Sequence, residues 1–344
     1  QVREGPVTLS YSGLTDTGGS QVKTVTLHVL PPGGAWQVTS VTANTSPSGS
    51  LVFDGFGADG EYGFAIMVED NAGNESASPS APQATMAYDS TPPTLPSLDV
   101  AAYTSSVPVT VSYSGATDTG SGLDRVELWA KKDAGSWAFT GATATGASGS
   151  FEYAGMSGDA TYAFSARVFD AAGNASPTPS GGGLALTSFD SVEPTAPSIS
   201  LAEHANAAPV TVSYDGASDA GSGLEAVVLW ARKDFGTWVN TGLESTGASG
   251  SFQYTPADGD GSYHFYGQAR DLSGNTSSNP SGIGRGTLVF DATPPTVGIL
   301  TALDEEVTQN PVVLAFSGIS EGGSGLQNVE LFAKAGTGAW TATG

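Results

Sequence analysis

Three aspartates stand in the same phrase of the chain: Asp89 in YDSTPPT, Asp190 in FDSVEPT and Asp291 in FDATPPT, each 101 residues from the next. Pro and Thr are enough to make a bend, so a carboxylate kept in register needs a reason of its own. Other acids repeat with it. Asp118 in ATDTGSGL is matched by Asp16, Asp219 and Glu321, and Asp170 in DAAGN by Asp70 and Asp271. The asparagine that follows in that loop, Asn174, is matched by Asn74 and Asn275. Carboxylates that approach one another at neutral pH repel unless a cation lies among them. Ca2+ takes about six to eight oxygens from carboxylates, carbonyls and amides, so these residue types point to a hard-cation site if the fold gathers them.

The elements that must do the gathering also repeat. PVTLSYSGLTD (6–16), PVTVSYSGATD (108–118), PVTVSYDGASD (209–219) and PVVLAFSGISE (311–321) are spaced by 102, 101 and 102 residues, a domain-sized period. Within the second copy the apolar period is two. Val109, Val111 and Tyr113 alternate with Thr110, Ser112 and Ser114, and Val126, Leu128 and Ala130 alternate with Arg125, Glu127 and Lys131. Further strands are read at 97–100, 137–141, 150–153, 161–170 and 183–190. About seven strands in roughly 100 residues, with no helical periodicity, predict an all-β chain of tandem immunoglobulin-like β-sandwiches. The expected repeats are 1–89, lacking most of its first strand, then 90–190, 191–291 and a truncated 292–344. Tyr62, Tyr162 and Tyr263 fit a tyrosine corner at the start of the sixth strand, and Phe64, Phe164 and Phe265 stand two positions on, where an antibody domain has a cysteine. The ragged ends suggest a segment of a longer array, or else a polymer whose neighbours supply strands.

Composition narrows the function. With 34 acidic and 11 basic residues the net charge is −23, which disfavours nucleic acid and anionic membrane surfaces. The absence of cysteine excludes disulfides and thiolate metal sites. No apolar run is long enough to span a membrane, and residues 1–5 do not read as a signal peptide. The three histidines, His28, His204 and His264, fall at unrelated places in the repeat, so no catalytic residue is expected. His28 takes the slot of Trp129 and Trp230 and is expected to be an exposed sheet aromatic.

SGLDRVELWAKKDAGSW, then GDATYAFSARVFDAAGN, then the D-x-T-P-P-T link resemble the Ig-like, fibronectin-III-like repeats of large bacterial surface and secreted proteins. The resemblance covers the whole chain. It implies an extracellular, cell-surface, mechanically extended protein of the kind found in adhesin stalks, fibres and spacers of secreted hydrolases. It also implies calcium between successive domains, as in several members.

In such a sandwich the chain enters at the pole bearing the second-to-third and sixth-to-seventh strand loops. Asp89 is therefore grouped with Asp118, Asp170 and Asn174, and Asp190 with Asp219, Asp271 and Asn275. Asp16, Asp70 and Asn74 repeat the pattern in the first copy, and Asp291 meets Glu321 in the fourth. Asp59, Asp159 and Asp258 or Asp260, from the far pole of the preceding domain, are candidates to join. Two readings of these loops stay open, interdomain Ca2+ and metal-free turn chemistry. Asn74, Asn174, Asn275 and Asn44 also open N-x-[ST] sequons. Trp129 and Trp230, beside Arg125, Lys131 and Arg232, are candidate sugar-stacking rings, whereas Trp36, Trp137, Trp238 and Trp340 are expected to cap the core edge. The function expected is a structural spacer stiffened by Ca2+, its partners neighbouring repeats, self-associating chains or surface glycans. A non-catalytic accessory array of a secreted hydrolase is the alternative, and a carbohydrate-recognition module the third reading.

Overall fold

The computed structural model describes residues 1–44, 47–301, 306, 308 and 310–343; the Asn44 sequon, with Thr45 and Ser46, lies partly outside them. Among the described residues every regular element is a strand. The chain divides into two compact units, Gln1–Phe189 and Asp190–Gly344.

The second repeat, in the first unit, shows how sequence becomes sandwich. One sheet orders Ser148–Tyr153, Val109–Ser114 and Ser97–Asp99. The other orders Ala138–Ala144, Leu123–Lys132, Ala160–Asp170, Ala185–Phe189 and Tyr103–Thr104, the last pair parallel. The leading strand is thus split into two pieces, one on each sheet, which gives eight strands rather than seven. A strand that changes sheets closes the open side between them. The alternating residues do what their period predicts: Val111, Val126, Leu128, Phe164, Ala166 and Val168 have no exposed surface and form one core.

The first repeat makes a separate core from Val25, Leu27, Leu51, Phe53, Tyr62 and Phe64. Its leading strand is reduced to a bridge from Val2 to Tyr88. In the second unit the third repeat has the same two-sheet order and a core of Val212, Val227, Leu229, Phe265 and Leu288. Among the described residues its fourth repeat holds two short strand pairs, Ile299–Thr301 with Ala315–Ser317 and Phe332–Ala333 with Thr341–Ala342, and a single bridge from Thr296 to Ser320. Among the described residues no apolar side chain there is buried.

The corner tyrosines fasten one pole of each core. Tyr62 Oη donates to the Ala58 carbonyl at 3.0 Å, Tyr162 Oη to Ser157 at 3.0 Å and Tyr263 Oη to Gly259 at 2.8 Å. The phenylalanines two residues on fill the space of the missing disulfide, and Phe164 and Phe265 are wholly buried.

Two outer-face residues depart from expectation. Glu127 is buried, because its carboxylate accepts from Arg125 Nε at 3.1 Å and Trp129 Nε1 at 3.3 Å. His28 is also buried, in a strand paired on both sides, and is not an exposed aromatic.

Phe164→Ala is expected to cost about 3–5 kcal/mol through cavity formation. Tyr162→Phe should cost about 1–2 kcal/mol, since it leaves the Ser157 amide without its 2.8 Å partner. Denaturant unfolding of the two variants, followed by the amide signals of repeat two, measures both, and equal small effects would contradict the core assignment.

Candidate metal centre

Each linker aspartate follows the last strand of its repeat and is buried despite its charge: Asp89 and Asp190 are 1% exposed and Asp291 is 8%. Asp89 satisfies this charge with donors from two directions. Its own linker supplies the Thr91 amide to Oδ1 at 3.1 Å, and the next repeat supplies the Ser121 amide to Oδ2 at 2.7 Å. Asp190 accepts from Val192 at 3.1 Å and Ser222 at 2.6 Å. Asp291 accepts from Thr293 at 3.1 Å and from Ser324 through both amide, at 2.9 Å, and hydroxyl, at 2.7 Å. Burial pushes the Asp190 carboxyl up, but the Ser222 and Val192 donors outweigh it and hold the group below the usual carboxylate range. Asp291 is held at about 2, chiefly by the Ser324 hydroxyl and amide.

The loop that meets this carboxylate has little freedom. A Cβ on Gly120 would lie 2.4 Å from the Asp89 carboxyl carbon, and one on Gly221 2.4 Å from an Asp190 oxygen. Gly122 and Gly223 sit at φ of 84° and 91°, a region that favours glycine. The G-S-G after the loop acid is therefore as much part of the site as the acid. The sequence shows it recurring, but its role becomes visible only with the linker carboxylate in place.

The other two carboxylates close in from the same repeat. Asp118 Oδ2 accepts from the Gly120 amide at 3.0 Å and the Gly122 amide at 2.7 Å. Asp170 accepts from Asn174 twice, backbone to Oδ1 and side chain to Oδ2, both at 2.8 Å. A bulge between Leu123 and Arg125, opposite Phe169 and Asp170, sets the strand end at the site, and the same irregularity recurs beside Asp70 and Asp271. One carboxylate oxygen each from Asp89, Asp118 and Asp170 lies within 4.8 Å of the others, and Asp190, Asp219 and Asp271 form the same group. Two oxygens each about 2.3–2.6 Å from one calcium ion are at most about 5 Å apart, so the grouping has the right scale.

One further feature fits a cation. Asp118 Oδ1 and Asp219 Oδ1 are buried and accept no hydrogen bond. A buried carboxylate oxygen without a donor is costly. The ion pairs found among the described residues use Glu4, Glu69, Asp124, Glu127, Glu225 and Glu244, and none uses Asp89, Asp118, Asp170, Asp190, Asp219 or Asp271. The donors around them are neutral amides and, at Asp190, the Ser222 hydroxyl as well, so none brings a positive charge.

The first and fourth repeats differ. The first carries one more residue in its loop, and Gln21 takes a φ of 64°. Ser20 Oγ lies 3.0 Å from Asp16 Oδ2 and 2.8 Å from Asp70 Oδ2, and a hydroxyl thus stands between the two acids. Asn74 then holds Asp70 at about 2, and the Gly18 and Gln21 amides lower Asp16. In the fourth repeat Glu321 gives one oxygen to the Gly323 amide and the other to the Gly325 amide. Among the described residues neither pair, Asp16 with Asp70 or Asp291 with Glu321, gains a third carboxylate.

Of the far-pole acids, Asp59 and Asp260 act as staples, and neither they nor Asp159 and Asp258 belong to the two carboxylate groups. Asp59 Oδ1 accepts from the Ser90 amide and hydroxyl, both at 2.9 Å, and its Oδ2 from the Thr91 hydroxyl. Asp260, rather than Asp258, plays that part for Ala292 and Thr293.

The asparagines are committed to the site. Asn174 Nδ2 donates to the Asp89 carbonyl and to Asp170 Oδ2, both at 2.8 Å, and Asn275 Nδ2 to the Asp190 carbonyl at 2.9 Å and Asp271 at 2.7 Å. A glycan on either nitrogen would have to break one of these bonds. Asn74 Nδ2 donates to Asp70 Oδ2 at 2.8 Å and is exposed.

The tryptophans exchange the neighbours expected for them. Lys131 and Arg232 lie over Trp137 and Trp238, at 5.0 and 4.9 Å, while Arg125 stacks on Phe169 at 3.7 Å. Trp137 covers the backbone at Gly183 and Trp238 that at Gly284, outside the core clusters. Trp129 and Trp230 are half-buried, with Trp129 tilted against Phe139 and Trp230 Nε1 donating to Gln268 at 3.0 Å. Side-chain alternation gives the face of a strand but not which of two neighbouring rings a flexible basic stem will cover.

Residues 98–181 match the family of bacterial Ig-like domains. Exoglucanase B of Cellulomonas fimi is 29% identical over 262 residues, which are 71% of this chain and 21% of that protein, so the chain spans about a fifth of its relative's length. Among solved structures, the FN1-FN3 domains of chicken CNTN1 are 15% identical, covering 85% of this chain and 96% of that one, with a TM-score of 0.32. Domains A168-A170 of titin are 12% identical over 81% and 91% of the two chains, with a TM-score of 0.34. A tetra-tandem repeat from the extending region of a large adhesion protein is 20% identical over 84% and 75%, with a TM-score of 0.27. The family match falls on the second repeat, and the same strand words, Tyr-Phe pair and linker aspartate recur in tandem along the sequence: repeat two matches the bacterial Ig-like domain family, and its sequence pattern recurs in its neighbours.

Proposed function

We propose that this array is a non-catalytic spacer of an extracellular protein, holding Ca2+ at the loop pole of repeat two and of repeat three. The observation that carries the reading is the buried, donorless oxygen on Asp118 and on Asp219, two acids that each group with two further carboxylates. At the first of these poles an ion would tie Asp89, at the end of repeat one's last strand, to two loops of repeat two. A tie of that kind removes freedom from a linker that proline alone only biases. Asp89, Asp118, Asp170, Asp190, Asp219 and Asp271 would be the ligands, with Asn174 and Asn275 orienting the last acid of each group. Extracellular placement agrees with the match of repeat two to bacterial Ig-like domains and with a net charge of −23. Among the described residues no helix is long and apolar enough to cross a membrane.

A second reading has its own support. The similarity to an exoglucanase over about a fifth of that protein favours an accessory array beside a hydrolase lying outside these residues. The two readings share the spacer role and differ in what the spacer separates. The full reading frame decides between them: an adjoining glycan-hydrolase domain supports the second, and many further repeats with an anchor support the first.

Calorimetric titration of the chain with CaCl2 is expected to show two sites, with Asp118→Asn and Asp219→Asn each removing one. At a hundredfold excess over Kd the ion should add about 2.7 kcal/mol to the stability of the repeat that binds it, reversed by chelator. No heat and an unchanged melting temperature would end the metal reading. The pH dependence follows from the depressed carboxyl of Asp190: it stays ionised down through its usual range. Binding at repeat three should therefore persist at pH 5 and fade only once the pH lies below the usual aspartate value of about 3.9, where protons take the Asp190 oxygens. Loss of the repeat-three site already at pH 6 would contradict this.

A further inference from the structure

The linker aspartate belongs to two repeats at once, by different atoms. In the first repeat its backbone amide donates to the Val2 carbonyl at 3.0 Å, and the Val2 amide donates to Ala87 at 3.0 Å. These bonds join the first and last strands of that repeat as a parallel pair. In the second repeat its side chain accepts from Ser121, and its carbonyl accepts from Asn174 at 2.8 Å. The other member of the pair is anchored too, since Arg3 Nη1 donates to the Gly173 carbonyl of repeat two at 2.8 Å. The second unit repeats the device. The Asp291 amide donates to the Ala205 carbonyl at 2.9 Å, closing repeat three, while the Asp291 carboxylate accepts from Ser324 of repeat four.

We propose that the linker aspartate makes the closing strand pair of one repeat depend on the loops of the next, so that neighbouring repeats open as coupled rather than independent bodies. The physical reason is geometric. Asp89 can leave the closing pair only by pulling its carboxylate off the Ser121 amide and its carbonyl off Asn174. Conversely, a loop that no longer accepts the carboxylate frees the residue that closes the preceding repeat. The coupling needs no ion and is separate from the calcium reading, so each can fail alone.

The test is amide hydrogen exchange in the whole chain, with chelator present. Gly120→Ala places a methyl where the Asp89 carboxylate sits, in a loop of repeat two that is no part of repeat one's core. It is expected to speed exchange of the Asp89 and Val2 amides, both in repeat one, by about tenfold. Asn174→Ala, which removes the donor to the Asp89 carbonyl without adding volume, should act in the same direction. Met156→Ala is the control, a core truncation of repeat two. It should speed exchange within repeat two and leave Asp89 and Val2 as they were. Gly323→Ala should reproduce the effect on the Asp291 amide in the second unit. Unchanged Asp89 and Val2 exchange in both Gly120→Ala and Asn174→Ala, or equal acceleration in Met156→Ala, would overturn the proposal.

Discussion

A carboxylate with 1% of its surface exposed must find donors for its charge, and at Asp89 it finds them on both sides of a domain junction. Removing an ionised group from water costs several kcal/mol, and a charge-assisted hydrogen bond returns about 1.5–3 kcal/mol. The Thr91 and Ser121 amides together are therefore of the right size to hold the acid in place. That requirement propagates outward. Ser121 can present its amide only where Gly120 carries no side chain, and the loop turns back through Gly122 at positive φ. The bulge beside Asp170 belongs to the same arrangement, since it marks the strand end that carries the third carboxylate.

The electrostatics of the groups follow from what these donors leave undone. Amides supply hydrogen bonds but no positive charge, and in repeats two and three, three acids gather while the loop acid, Asp118 or Asp219, keeps one oxygen unanswered. Repeat one meets a related problem differently. Its loop is longer by one residue, Ser20 puts a hydroxyl between Asp16 and Asp70, and both Asp16 oxygens accept hydrogen bonds from Gly18, Gln21 and Ser20. The same alphabet of acid, glycine and serine thus yields a hydrogen-bonded pole in one copy and a charge-rich triad in the next two. The triad is the feature on which the proposed cation site at these poles rests.

Much of this was legible in the residues. Period-two alternation placed Val111, Val126, Leu128 and Phe164 in the core, because a strand has only two faces and burial selects one. The tyrosine corner was legible because a phenol at a strand start has one nearby carbonyl to reach. The grouping of Asp89 with Asp118 and Asp170 followed from which loops share a pole. What escaped was set by side-chain reach rather than by spacing. Lys131 covers Trp137 instead of Trp129, and Glu127 is buried by the indole and guanidinium beside it. Asp59 lies at the expected end of its repeat but spends both oxygens on Ser90 and Thr91, so it staples the linker and stays out of the triad. The split of the leading strand between two sheets has no period to announce it.

Turn chemistry at the loop acid uses only one of its two carboxylate oxygens, so it does not compete with the proposed ion for the other. Asp118 uses Oδ2 for both the Gly120 and the Gly122 amide, and Oδ1 is left over. Glu321, one methylene longer, gives one oxygen to each of the corresponding amides, and both are occupied. Aspartate at this position is short enough to cap the turn with a single oxygen and keep the other for a ligand. A glutamate makes the same turn but uses up that reserve. Under the proposed calcium reading, the choice between the two acids would set ion binding while the same two glycine amides hold the turn, which separates the part of the sequence that builds the joint from the part that would load it.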